Sequence, residues 1–136
     1  MLELELKSIK GKKKFEDFFN HADKFYAKDA ALFVTYKEKS RQETENIVEF
    51  AVTVRKKQAR KAVVRNRIKR LMRECLRQLG KDNSSAKLLK QFDMFILVWA
   101  NAPKHPQLIK QKDVCPVIKK LLDKANKNVE IKGKEK

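Results

Sequence analysis

Hydrolytic chemistry, if the chain performs any by itself, has to come from its carboxylates and imidazoles. Metal-assisted hydrolysis needs clustered carboxylates, because Mg²⁺ is a hard cation that takes oxygen ligands. Two close acidic pairs exist, Glu16-Asp17 and Glu43/Glu45, but no D-x-D or H-E-x-x-H pattern. Each pair reads more simply as charge on a helix surface or in a loop. His21 and His105 are the only imidazoles. They could in principle form a metal-free general acid–base pair, yet nothing else in the sequence completes such a site. Cys75 and Cys115 stand far apart without a C-x-x-C spacing. They read as two reduced thiols of a cytosolic protein, one or both in the core. The sequence therefore offers no catalytic residues and no metal ligands of its own.

The cations offer much more. Lys and Arg total 34 against 17 Asp and Glu, a formal charge of +17 over 136 residues. Such an excess opposes compactness through self-repulsion, and its usual use is to bind a polyanion, either nucleic acid or an acidic membrane surface. The density peaks between Phe50 and Arg73, where ten Lys/Arg occur with no acid. On a helical projection, Val64, Ile68, Leu71, Met72, Cys75, Leu76 and Leu79 form one apolar stripe. Asn66, Arg70, Arg73 and Arg77 cluster opposite it, with Arg67 and Lys69 flanking and Arg65 near the edge of the stripe. A merely solvated face would mix signs at i, i+4, but Glu74 is the only acid available. Arg outnumbers Lys here, and a guanidinium fork grips phosphate oxygens bidentately where an ammonium acts as a point charge. The apolar stripe lacks the bulky aromatics of a membrane-lying helix. Nucleic acid is the indicated partner and a membrane is not.

The elements that carry this helix follow from periodicity. Phe15 and Phe19 are spaced i, i+4, with Phe18, Ala22 and Phe25 on a neighbouring stripe, which predicts a helix over 12–25. Two β-rich runs, 30–36 and 47–54, predict strands around a polar loop at 37–46. The basic helix should end near Leu79, with Gly80 as its C′ glycine. Residues 81–91 read as a loop, and 92–100 as a strand buried on both faces. After a Pro-punctuated loop at 101–107 comes a closing helix at 113–127, with Asp113 as N-cap and Pro116 in its first turn. The 42% apolar content supports one core. The expectation is a single α+β domain over residues 1–126, an α/β sandwich with roughly four strands and three helices, followed by a basic, disordered tail over 127–136. Neither a signal peptide nor a membrane-length apolar run is visible.

The stretch Lys56–Glu74, "KKQARKAVVRNRIKRLMRE", resembles the signature of the bacterial ribonuclease P protein component. Its centre is Arg65-Asn66-Arg67 followed by Ile68-Lys69-Arg70-Leu71. The paired phenylalanines of "FEDFFNHA", the strand "EFAVTVRKK" and the buried strand "FDMFILVWA" extend the similarity over roughly residues 8 to 126. Many members carry a glycine between the Lys-Lys pair and the helix, where this chain reads "QARK". The basic residue that often follows the buried strand is also missing, since Trp99 and Asn101 stand there.

The resemblance implies a three-layer sandwich with a left-handed βαβ crossover, against the usual right hand of such connections. It implies the protein subunit of a cytoplasmic ribonucleoprotein that removes the 5′ leader from precursor tRNA by Mg²⁺-dependent hydrolysis. The RNA subunit would be the catalyst, and the protein alone would bind no cofactor. Contacts to the catalytic RNA would fall on Lys56, Lys57, Arg60, Lys61, Arg65, Asn66, Arg67, Lys69, Arg70 and Arg73. A cleft for the single-stranded leader would be formed by Phe15, Phe19 and Phe33, bordered by Thr53, Arg55 and Lys57, because unstacked bases can lie on aromatic faces without sequence readout. Two other readings stand beside it. One is a ribosomal or other structural RNA-binding protein. The other is a DNA-binding protein with the helix in the major groove, which would want more base-reading Asn and Gln than Asn66 and Gln78.

Overall fold

A computed structural model describes residues 4–9, 12–27, 29–37, 46–55, 62–100 and 110–134, with side chains for all of these except 12–15, 83 and 128–134. The elements run β1 (Glu5–Ser8), α1 (Lys12–His21), β2 (Asp23–Tyr26), β3 (Ala30–Tyr36), β4 (Ile47–Val54), α2 (Ala62–Lys81), α3 (Asn83–Lys90), β5 (Phe92–Trp99) and α4 (Gln111–Lys134). The strands form one mixed sheet in the order β1-β4-β5-β3-β2. β1, β4 and β5 are parallel neighbours, whereas β3 is antiparallel to β5 and to β2.

Strand alternation sorts the sheet into two faces. Val48, Val52 and Val54 of β4, Phe95, Leu97 and Trp99 of β5, and Ala30, Leu32 and Val34 of β3 point one way and are buried. Against them pack Ile68, Met72, Cys75, Leu76 and Leu79 of α2, Leu89 of α3, and Val114, Ile118, Leu121, Leu122 and Ala125 of α4. The stripe expected on the basic helix is thus its buried face. Aromatic contacts tie this layer together, edge-on for Tyr36–Phe92 and Phe92–Phe95 and stacked for Phe50–Phe95, with ring centroids 5.7, 5.7 and 5.9 Å apart. The Tyr36 hydroxyl donates to the Ala125 carbonyl (3.2 Å), holding α4 to β3. Among the described residues α1 is the helix on the other face, where Phe18 is buried and Phe19 meets Phe33. β5 is central, so Ile96 and Leu97 are both buried although they point to opposite faces. The path β4–α2–α3–β5 is a crossover between adjacent parallel strands.

Several sequence expectations change. The sheet has a fifth strand, β1, built on the alternation of "LEL" and hydrogen-bonded to the free edge of β4. α1 stops at His21, and Phe25 belongs to β2, where it packs half-buried against the main core. The expected loop at 81–91 holds α3, because Asp82 is its N-cap: the carboxylate accepts from the Ser85 N–H (3.1 Å) and from both the Ser84 and Ser85 hydroxyls (2.9 Å each). Gly80 is not a C′ glycine but a helical residue in the last turn of α2, facing Leu4. α4 starts at Gln111, so Asp113 sits in its first turn and accepts from the Lys110 N–H (2.9 Å), the reciprocal half of a capping box. Pro116 consequently lies in the second turn, where the Lys112 carbonyl loses its helical donor. α4 also continues through Lys134, past the residue-127 boundary set for a disordered tail.

The largest correction concerns the cysteines. Cys75 on α2 and Cys115 on α4 form a disulfide with a Cα–Cα distance of 5.5 Å. Their separation of 40 residues said nothing about proximity, because the packing of α4 across α2 is what brings them together. The Gln111 side-chain amide, donating to the Leu71 carbonyl (3.4 Å), fixes the same crossing.

Candidate RNA interface

Two surfaces stand out, and the first is the outer side of α2. Asn66, Arg70, Arg73, Arg77 and Gln78 are exposed, Arg65, Arg67 and Lys69 are half-buried, and the apolar stripe faces the sheet. Glu74 pairs with Arg77 at 3.2 Å, so the single acid on the outer face is spent on the C-terminal half. Among the described residues no carboxylate pairs with Arg70 or Arg73. The first turn of α2 contains no acid, and its helix dipole favours an anion at that end. Cation density therefore rises toward the N-terminal half, where Arg65-Asn66-Arg67 sits. Lys56, Lys57, Arg60 and Lys61 lie outside the described residues.

The second surface is the sheet face that α1 leaves partly open. Cross-strand register places Phe33, Ile96 and Ala51 in one row and Ala31, Val98 and Thr53 in the next. Phe19 is 41% exposed, and its ring meets Phe33 edge-on with centroids 5.2 Å apart. Phe18, 5.5 Å from Phe19, is the buried anchor that sets this angle. Thr53 is exposed near the end of β4, and Arg55 follows it, exposed, with its backbone N–H donating to the Trp99 carbonyl (3.1 Å). Phe19, Phe33, Thr53 and Arg55 are thus brought to one side of the sheet. Phe15 lies in α1 one turn before Phe19, but its side chain, like Lys57, is outside the described residues. The floor residues Ala51, Ile96 and Val98 were not named from sequence. Strand register alone identifies them, and that depends on non-local pairing.

Among the described residues no group of three or more His, Cys, Asp or Glu could hold a metal ion. Glu16 and Asp17 are exposed neighbours on α1, and His21 closes that helix. Glu43, Glu45 and His105 lie outside the described residues. The Asp82 carboxyl is held below its ordinary range by its hydrogen bonds from Ser84 and Ser85, and it caps α3 rather than serving either surface.

The chain's similarities agree with this geometry. No curated protein matches it significantly by sequence. In three dimensions it is similar to the RNase P protein of Staphylococcus aureus, with a TM-score of 0.63 at 16% identity, over 87% of this chain and 94% of that one. It is also similar to the RNase P protein of Thermotoga maritima, with a TM-score of 0.61 at 16% identity, over 87% and 96%. These likenesses establish the fold. The sequence model of the Ribonuclease P family matches residues 5–126, which takes in every strand, α1 to α3 and most of α4. The chain therefore belongs to the ribonuclease P protein family.

Proposed function

We propose that this chain assembles with a catalytic RNA through the outer face of α2, and that the open sheet face receives the single-stranded 5′ leader of precursor tRNA. Cleavage is assigned to the RNA subunit with Mg²⁺, and the protein contributes binding. The observation that carries this reading is the division of labour in α2. One stripe is buried against the sheet, and the other presents Arg70 and Arg73 without acidic partners beside the Arg65-Asn66-Arg67 triplet. Lys56, Lys57, Arg60, Lys61 and Lys69 are assigned to the same RNA contact. Phe15, Phe19, Phe33, Thr53, Arg55 and Lys57 are assigned to the leader. Unstacked bases need aromatic faces and nearby cations rather than specific donors, and Phe19 is an exposed aromatic beside the half-buried Phe33 and the buried Phe18. Among the described residues no helix is long and apolar enough to cross a membrane. The cytoplasm, where precursor tRNA is made, is the proposed location.

The experiment is a pair of substitutions on one helix. Phe19→Ala should leave assembly with the catalytic RNA intact and weaken binding of precursor tRNA by roughly 1–3 kcal/mol if one base stacks there. Mature tRNA, which has no leader, should bind both proteins alike. Phe18→Ala is the contrast, since removing a buried Phe costs about 3–5 kcal/mol of folding stability. If Phe19→Ala melts early and loses assembly and substrate together, Phe19 is core and the cleft assignment fails.

A further inference from the structure

The open sheet face does not end at Phe33. β2 extends it by one strand, and register sets Tyr26 opposite Ala31 and Lys24 opposite Phe33. Phe25, between them, turns to the main core, so Tyr26 and Lys24 point to the α1 side. Tyr26 is 62% exposed, and among the described residues its ring has no aromatic or hydrogen-bonding partner. An isolated exposed tyrosine on an edge strand is ordinary, but two features set this one apart.

The first is its row. Tyr26, Ala31, Val98 and Thr53 run side by side across four strands, about 14 Å at the usual strand spacing. Ala31 and Val98 make a low floor, while Tyr26 and Thr53 rise from it at the ends. Tyr26 stands diagonally across from Phe33, roughly 7–8 Å away by sheet geometry, so a strand lying on Phe33 can reach it with a neighbouring base. Lys24, exposed on β2 directly across from Phe33 of β3, puts an ammonium where the intervening phosphate would pass. The strand acids of this face, Glu5 and Glu49, lie at the opposite edge of the sheet.

The second is rigidity. The Ala27 N–H donates to the Ala30 carbonyl (2.8 Å), closing the β2–β3 hairpin. Lys124 of α4 donates to the Tyr26 carbonyl from the core side. The backbone that carries Tyr26 is therefore held from both directions. Stacking then has only the two side-chain torsions of the ring to order, a small cost that favours its use as a platform.

We infer that Tyr26, with Lys24, forms an outer subsite for the single-stranded leader, taking a base beyond the one on the Phe19–Phe33 pair. This rests on the leader-binding reading of the same face. It makes Tyr26 a determinant of how leader length is read, since a short leader would not reach the β2 edge.

The test measures the affinity of the assembled ribonucleoprotein for a series of precursor tRNAs whose leaders grow one nucleotide at a time. Wild type should gain affinity at the nucleotide that reaches Tyr26, by about fivefold or more for one stacked base. Tyr26→Ala should lose that step alone and match wild type on shorter leaders. Tyr26→Phe should keep the step and Tyr26→Trp should enlarge it, both at unchanged melting temperature. If Tyr26→Ala follows wild type at every length while Phe19→Ala weakens binding, the outer subsite is refuted and the inner cleft stands. If neither substitution matters, the leader does not use this face and both readings fall.

Discussion

Replacing Arg70 and Arg73 together by alanine tests the α2 assignment quantitatively. Both guanidinium groups are exposed, lie three residues apart and pair with no carboxylate among the described residues. Each phosphate neutralised on RNA contributes about 0.7–0.9 to the slope of log affinity against log salt. Removing two such contacts should flatten the slope by about 1.4–1.8. Between 50 and 200 mM salt, wild type should then lose about tenfold more affinity for the catalytic RNA than the variant does. Folding does not confound the result. Two unit charges about 6 Å apart in water repel by roughly 0.7 kcal/mol, and alanine has the higher helix propensity, so the variant should be at least as stable. Arg77→Ala is the internal control, because Arg77 is already paired with Glu74 and should scarcely change the slope. The assay is equilibrium binding to the catalytic RNA across a salt series, with a thermal melt of each protein. An unchanged slope in the double variant, or an equal flattening in Arg77→Ala, would place the RNA interface elsewhere.

Other consequences can be checked by stability measurements. Gly80→Ala should stabilise the fold by about 0.4–1 kcal/mol, because Gly80 is helical in the last turn of α2 and an added Cβ would meet Leu4 Cδ2 at an ordinary 3.5 Å; a lower melting temperature would restore the C′ reading. Reducing the Cys75–Cys115 bond should cost about 2–4 kcal/mol, the chain-entropy scale for a link spanning 40 residues; identical melts with and without a thiol reductant would show that the link adds nothing. The Asp82 carboxyl is held below its ordinary range by the Ser84 and Ser85 hydrogen bonds. Its stabilisation of α3 is therefore present above the unfolded carboxyl's pKa and lost as pH falls through the folded one. Protection of the Ser85 amide, taken relative to its intrinsic exchange rate at each pH, should fall in that acid window, and Asp82→Ala should abolish that change in protection.

What could be read beforehand followed from local periodicity. The face division of α2 came from 3.6-residue spacing alone, and Ile68, Met72, Cys75, Leu76 and Leu79 are buried as that spacing requires. The run Phe92–Trp99 read as a doubly covered strand because it does not alternate, and it is the central strand of the sheet. Misreadings arose where non-local pairing overrides local pattern. Phe18, Ala22 and Phe25 fit a helical stripe by spacing, yet Phe25 is held by the β2–β3 pairing. "LELELKS" alternates, but four residues become a strand only because β4 offers an edge. The "DNSS" run has the composition of a loop, while its aspartate caps a helix. On the site, the exposed Arg70 and Arg73 were visible from the helical projection. The approach of Phe19 to Phe33 and the position of Tyr26 were not, since both depend on how β2 and β3 register.

The central claim is that this chain is a working subunit of an RNA-based endonuclease, and reconstitution tests it most directly. Purified protein, a ribonuclease P catalytic RNA and a precursor tRNA are combined at a Mg²⁺ concentration too low for the RNA to cleave efficiently alone. The account predicts site-specific release of the 5′ leader when protein and RNA are both present, and none from the protein by itself. Salt-sensitive RNA binding with no gain in cleavage would contradict it and leave a structural RNA-binding protein. Leader removal by RNA-free protein would contradict it as well, by placing the chemistry on the chain.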